Sequence, residues 1–242
     1  MSQFLFDSLS KEYDQTVQEC DRLNLFPFAG YERVLDTIAS RIVVRKDQPC
    51  AKILDMGIGT ARLYEKLNPD TFRLWGVDFS EKMLEHARLK FPQSKMMHHD
   101  FTLGVPEALR HERYDFIVST YAMHHLDMQK WIGMINHLLT FLEPFGTILI
   151  GDIMFPTEMD KNVCHEAHHD YWDETEHYHV FDEIIELLDG HLALSFLKTS
   201  FCSGVMIIEN VHDNALQIDD SLLKYKATTL KWKSNRTREK SE

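Results

Sequence analysis

The chain has 242 residues, 44% hydrophobic and 26% charged, which excludes collagen-like, low-complexity and wholly disordered classes and suffices for one α/β domain with a small cap. Thirty-eight acidic against 26 basic side chains give a formal charge of -12, arguing against a nucleic-acid backbone or an anionic membrane as the main partner. The 14 histidines would offset much of that charge near pH 6.

At the N-terminus there is neither a basic n-region nor an apolar run of signal-peptide length, and the most apolar stretch, 145–155, is short and broken by Gly146, Gly151 and Asp152. Cys20, Cys50, Cys164 and Cys202 lie far apart with no Cys-x-x-Cys pair, as expected of thiols in a reducing cytoplasm. Residues 51–56 read as a buried strand, 61–67 as a helix and 72–77 as a second strand. Ser80 can cap a helix through residue 89, residues 95–98 take the place of a third strand, and 114–119 form a fourth. Trp131, Met134, Ile135, Leu138, Leu139 and Leu142 then recur at helical spacing along one face, with Pro144 and Gly146 as the stop. A fifth strand spans 147–154, and after an aromatic, His-rich stretch a helix runs over about 182–188 to Gly190. The β-rich runs 193–198 and 205–208 flank Ser203-Gly204, which reads as a hairpin-like return. From 224 to 242 there are seven basic and two acidic residues, so the tail carries +5 and the body -17, the pattern of a solvated tail drawn to an acidic body.

The most informative constellation is Ile53-Leu54-Asp55-Met56-Gly57-Ile58-Gly59-Thr60-Ala61, at the junction of the first strand and first helix. Two glycines two apart allow a tight turn and close approach of a ligand to the backbone. Asp78 ends the second strand 19 residues after Gly59, near the offset of an acid that accepts from ribose hydroxyls, so a nucleoside crevice is expected. Charge selects the nucleoside. A carboxylate at Asp55, directly before the turn, would repel a pyrophosphate, and the third glycine of a dinucleotide loop is replaced by Arg62. S-adenosylmethionine, cationic and without phosphate, suits an acidic turn better than a nicotinamide dinucleotide.

These motifs resemble those of the class I S-adenosylmethionine-dependent methyltransferases, over roughly residues 8–210. Leu54 to Thr60 resembles their glycine motif, Gly76-Val77-Asp78-Phe79-Ser80 their ribose motif, and His99-Asp100-Phe101 the segment whose acid meets the adenine amino group. Tyr114 to Ser119, followed by Met123-His124-His125-Leu126, is similar to the fourth-strand motif of the small-molecule branch, and Leu142-Glu143-Pro144-Phe145-Gly146-Thr147 to the turn into the fifth strand, where Lys-Pro-Gly-Gly is more usual. Glu12-Tyr13-Asp14-Gln15 brings the chain nearest to the bacterial YrrT-like methyltransferases. The resemblance implies an α/β fold: a doubly wound, mostly parallel seven-stranded sheet with an antiparallel last strand. It also implies one domain over 1–242, with an N-terminal helical lid (1–45), a cofactor-binding core (50–155), a substrate cap (156–190), the last two strands (191–210) and a tail (211–242).

Carried over by position, the resemblance places Gly57 and Gly59 at the methionine part of S-adenosylmethionine and Asp78 at the ribose, with Asp55, Thr60 and Phe79 also among the cofactor-binding residues. Asp100 and Phe101 frame the adenine, Met83 packs on its other face, Ser119 lines the pocket and Tyr13 closes over it. His124 and His125 follow strand four at the carboxyl end of the sheet, where either can serve as general base or simply line the turn. The Asn/Asp-Pro-Pro-Tyr motif of base and glutamine methyltransferases is replaced by Ser119-Thr120-Tyr121-Ala122, which favours a small-molecule acceptor and leaves a homodimer open.

His165-Glu166-Ala167-His168-His169 satisfies His-Glu-x-x-His, a zinc pattern when on a helix, for which Glu174, Glu176 or Glu186 could be offered as third ligand. Its place after the fifth strand favours a substrate cap instead, with no metal expected, in which His165, His169, Tyr171, Trp172, Tyr178 and His179 wall an aromatic pocket. A non-catalytic S-adenosylmethionine-binding module and a nicotinamide-dependent oxidoreductase are the competing functions.

Overall fold

The computed structural model describes residues 14–188 and 191–210; Tyr13, the stop at Gly190 and the basic tail lie outside the described residues. The chain divides into units 1–210 and 211–242, and the first carries the sheet. In order, it contains a helix α1 over 14–22, α2 (Tyr31–Arg41), β1 (Ala51–Met56), a 3₁₀ turn (Arg62–Lys66), β2 (Phe72–Asp78), α3 (Glu81–Lys90), β3 (Lys95–His98) and β4 (Tyr114–Thr120). A 3₁₀ turn (Met123–His125), α4 (Met128–Leu139), β5 (Leu142–Phe155), α5 (Glu158–His168), β6 (His179–Val180), α6 (Phe181–Leu187), β7 (Leu192–Lys198) and β8 (Ser203–Asn210) follow.

Seven strands run in the order β3-β2-β1-β4-β5-β8-β7. Strands β1 to β5 are mutually parallel, and β8 is antiparallel to both its neighbours. The expected α/β sheet with an antiparallel last strand is therefore present. Two-residue β6, paired with β5 off this path, makes an eighth strand that the alternation does not reveal.

Alternation along the central strands divides the core. Ile53 faces a cluster with Leu35 and Ile38 of α2 and Leu84 of α3, whereas Leu54 and Met56 face Trp131, Ile135 and Leu138 of α4. Each large side chain buried this way contributes about 1.5–3 kcal/mol, and the expected apolar face of α4 is the one that does so. Capping follows the sequence: Ser80 Oγ accepts from the Met83 amide at 3.3 Å, and Asp127 Oδ1 from Lys130 at 2.9 Å.

Three expectations need correction. The segment after the glycine turn is a 3₁₀ turn of five residues, because Gly57, Gly59 and Ala61 all take positive φ (89°, 54° and 61°) and leave no room for a longer helix before Leu67. Helix α4 stops at Leu139; Leu142, Pro144 and Gly146 belong to the irregular start of β5, whose register with β4 shifts between Tyr114 and Phe116. The β7–β8 return is made by residues 199–202, while Ser203 and Gly204 already pair with β5. Helix α5 carries little apolar periodicity, with Cys164 its buried residue, and was legible only as a cap.

Candidate functional site

The carboxyl ends of β1, β2 and β4 open into a cleft lined by the glycine turn, Asp78, Phe79, Met83, Phe101, Thr120 to Ala122 and His125. Its floor is set by the turn. Gly57 sits at φ 89°, and a Cβ there would lie 2.7 Å from that of Ala122, so only glycine fits. The Gly57 and Ile58 amides donate to the Val77 carbonyl at 2.9 and 3.0 Å, the Gly59 amide to Asp78 Oδ2 at 2.8 Å, and the Ala61 amide to the Ile58 carbonyl at 3.0 Å. A pyrophosphate-binding loop aims such amides at its ligand; here they are engaged within the fold. The following 3₁₀ turn offers little helix dipole. The cleft therefore suits a nucleoside without phosphate because the turn amides are engaged, whereas Asp55, which the charge argument invoked, is buried out of the cleft.

Asp55 lies under the turn, 1% exposed, its Oδ2 accepting from the Tyr64 hydroxyl at 2.8 Å while Oδ1 has no hydrogen-bond partner. Burial pushes its pKa up to about 7, with the Tyr64 hydroxyl opposing and Asp78 adding to the rise. Asp55 is thus not among the residues that line the cleft; its orphaned oxygen is sealed beneath the glycine turn. Asp78 receives the Ser80 amide on Oδ1 at 2.9 Å and the Gly59 amide on Oδ2. Burial nonetheless raises its pKa. The remaining lone pairs on its oxygens can accept from hydroxyls.

Met83 and Phe101 are buried in the wall, and Phe79 is half-buried beside them. Asp100 lines a second cleft with Phe79, Phe101, Thr102, His125, Thr175 and Glu176, its Oδ1 capping the turn through the Thr102 amide at 2.9 Å. Thr60 lines the first cleft and donates to Asp14 of α1 at 3.1 Å, which ties the N-terminal helix to the turn. Ser119 is displaced from its expected place: its Oγ donates to the Met56 carbonyl at 2.7 Å, and Thr120, Tyr121 and Ala122 line the cleft instead. Tyr121, at φ 50°, turns the chain so that its ring meets Tyr31 of α2 at 4.9 Å.

The two histidines separate. His124 is buried, its Nδ1 2.6 Å from Asp152 Oδ1 and its own amide donating to Asp152 Oδ2 at 3.0 Å. Burial works to lower its pKa, but Asp152 and then Glu176 outweigh burial and hold it above the usual value. Asp152 is likewise held low by His124 against its own burial, so the two form an ion pair. His125 lines both clefts, and burial, reinforced by His124, pushes its pKa down to about 4, leaving a neutral ring at pH 7.

The expected aromatic cap pocket is a packed cluster. Phe26 stacks on His168 and Trp172 at 5.6 and 5.3 Å, and Trp172 meets Tyr178 edge-on at 4.5 Å. His179 is buried against the Leu126 carbonyl, and Tyr171 is exposed. His165 pairs with Glu174 and His169 with Asp170, so these imidazoles do not converge. Sequence reasoning missed Tyr31, Ile58, Arg62, Leu63, Thr120, Tyr121 and Ala122 as lining residues and Asp152 as a histidine partner, and Glu176, offered as a ligand beside His165 and His169, stands by His124 instead. Asp152, in an otherwise apolar strand, was the available signal. Among the described residues no helix is long and apolar enough to cross a membrane.

The profile of a family described as a methyltransferase domain matches residues 53–146, which include the glycine turn, Asp78 and both histidines. An uncharacterized methyltransferase of Geobacillus thermodenitrificans is 30% identical over 210 residues, 84% of this chain and 94% of its own. The uncharacterized methyltransferase YrrT of Halobacillus halophilus is 29% identical over 157 residues, 65% of this chain and 69% of its own. Among solved structures, magnesium protoporphyrin IX methyltransferase from Synechocystis, with bound SAH, superposes with a TM-score of 0.64 at 18% identity, covering 85% of this chain and 96% of that one.

Proposed function

The chain belongs to the class I S-adenosylmethionine-dependent methyltransferases, with the YrrT-like proteins among its relatives, and from that premise we propose that it methylates a small-molecule acceptor held against His125. When bound, S-adenosylmethionine supplies a methyl group on a cationic sulfur, already activated toward a nucleophile. The residues fit it: the glycine turn would take the methionine portion, Asp78 the ribose hydroxyls, and Met83, Phe101 and Asp100 the adenine, with Phe79 between ribose and adenine. Because the sulfonium needs little activation, the protein's work is to align the acceptor, exclude water and receive a proton where the acceptor carries one.

The observation that carries the reading is the meeting of the two clefts at His125, with Phe79 and Phe101 as their other shared walls. Tyr31, Tyr121 and Ala122 line one side, while Thr175 and Glu176 make the far side of the second cleft, away from the adenine contacts, polar. That lining suits a compact polar molecule. A ring nitrogen of His125 is placed to accept the acceptor's proton, and His124, buried against Asp152, positions the turn rather than touching the acceptor. The body charge of -17 disfavours a nucleic-acid acceptor.

Calorimetric titration with S-adenosylmethionine, followed by a methyl-transfer assay across small thiols, amines, phenols and carboxylic acids, tests this. Micromolar binding and turnover of at least one acceptor are expected. Absence of binding at millimolar cofactor would overturn the site, and tight binding without turnover on any acceptor would favour a non-catalytic module.

A further inference from the structure

We propose that His124, His125 and Glu176 form a binding site for one divalent transition-metal ion, with an open position facing the two clefts. One ligand atom from each lies within 4.8 Å of the others, His124 being buried and the other two partly exposed. The two histidines come from the turn after β4 and Glu176 from the segment before β6, docked there by the His177 amide donating to the His124 carbonyl at 2.7 Å.

The case rests on how each side chain is already engaged. Asp152 lies beside Nδ1 of His124 and also accepts the His124 and Ile153 amides, so the ring is fixed and Nε2 points toward Glu176. Nε2 is 3.6 Å from Glu176 Oε1, too long for a hydrogen bond. It is close to the separation of about 3.4 Å between two ligands of a tetrahedral ion with bonds near 2.0–2.1 Å. The other Glu176 oxygen accepts from the Tyr178 hydroxyl at 2.8 Å, which holds Oε1 in place. The His125 ring stands 4.2 Å from that of His124, with one of its nitrogens within 4.8 Å of the ligand atoms of His124 and Glu176.

An aspartate on the far nitrogen of a ligating histidine is the usual outer support of a metal site. Two imidazoles and one carboxylate are a donor set for zinc and its first-row neighbours rather than for magnesium or calcium. Three protein ligands leave a position open. Since His125 and Glu176 line the second cleft, that position faces the space assigned above to the acceptor. Here the inference rests on the proposed function: a hydroxyl or thiol held by the ion would lose its proton to solvent more readily, and the ion would take over the part of His125. The His165-Glu166-x-x-His169 pattern, whose imidazoles face Glu174 and Asp170, plays no part.

Zinc titration of the metal-stripped full chain against a chromophoric chelator tests the site, with cobalt absorption of the wild type as a second readout independent of any variant's folding. One zinc per chain is expected, with affinity reduced at least about tenfold in Glu176→Gln and His125→Asn, a comparable loss in Asp152→Asn, and no change in His165→Ala. A low-coordinate cobalt spectrum should appear. The proposal is overturned if no stoichiometric zinc binds at micromolar concentration, if cobalt gives only a hexaaqua-like spectrum, or if His165→Ala abolishes binding while Glu176→Gln does not. S-adenosylmethionine binding by the metal-free protein, measured in parallel, keeps failure of the cofactor site distinct from failure of the metal site.

Discussion

Replacing Asp55 with asparagine isolates the electrostatic tension beneath the glycine turn. The carboxyl pKa is pushed to about 7 by burial, roughly three units above its ordinary 3.8. For an acid with a raised folded-state pKa the sign is fixed: below about 4 both states are protonated and nothing is lost. As pH rises from about 4 to 7 the unfolded chain ionises while the folded one keeps its proton, so stability falls, and the full penalty stands above 7. Three units at about 1.4 kcal/mol each set an upper bound on the order of 4 kcal/mol. Asparagine keeps an acceptor for the Tyr64 hydroxyl but leaves its amide in the place of orphaned Oδ1, at a cost of about 1–3 kcal/mol. At pH 8 the ligand-free variant should therefore be about 1–3 kcal/mol more stable than wild type, a Tm rise of about 2–10 °C. At pH 5, where folded Asp55 is already neutral, that advantage should disappear. Thermal unfolding by circular dichroism at the two pH values measures this. Equal Tm differences at both pH values, or a variant less stable at pH 8, would refute the reasoning.

The other expectations are simpler to read. Asp78→Ala should weaken S-adenosylmethionine binding by about 10²–10⁴-fold by calorimetry, from two charge-assisted hydrogen bonds at about 1.5–3 kcal/mol each; a change under about threefold would remove Asp78 from the site. Gly57→Ala should unfold at lower temperature than Gly59→Ala, since the first drives a Cβ to 2.7 Å from Ala122 whereas the second meets nothing within 4 Å. The reverse order would mean the turn is held differently. His124→Ala leaves Asp152 buried and unpaired, so a loss of about 3–5 kcal/mol in chemical denaturation is expected. His125→Asn should fold with little loss yet lower turnover by about 10²–10⁴-fold, and unchanged turnover would exclude it as the proton acceptor.

The amino-acid sequence determined the central strands, the glycine turn and the acid at the end of β2, because each is a local signal: apolar runs, paired glycines and a carboxylate at a fixed offset. It also pointed to a phosphate-free nucleoside, through the charge of Asp55 and the Arg62 that replaces a third glycine. Only the tertiary structure decided which side chains reach the cleft. Ser119 turns inward to the Met56 carbonyl because a strand residue's facing depends on the register of its neighbours, and the positive φ of Tyr121 then gives its place to the residues that follow. The adjacent histidines could not be told apart by spacing; Asp152, 28 residues later on β5, claims His124, and the cap segment brings Glu176 beside both. The His-Glu-x-x-His pattern, conspicuous in the chain, disperses at the end of α5, while the one close histidine–carboxylate cluster found among the described residues joins two elements about fifty residues apart. Local chemistry fixes which groups are available, and long-range packing decides which of them meet.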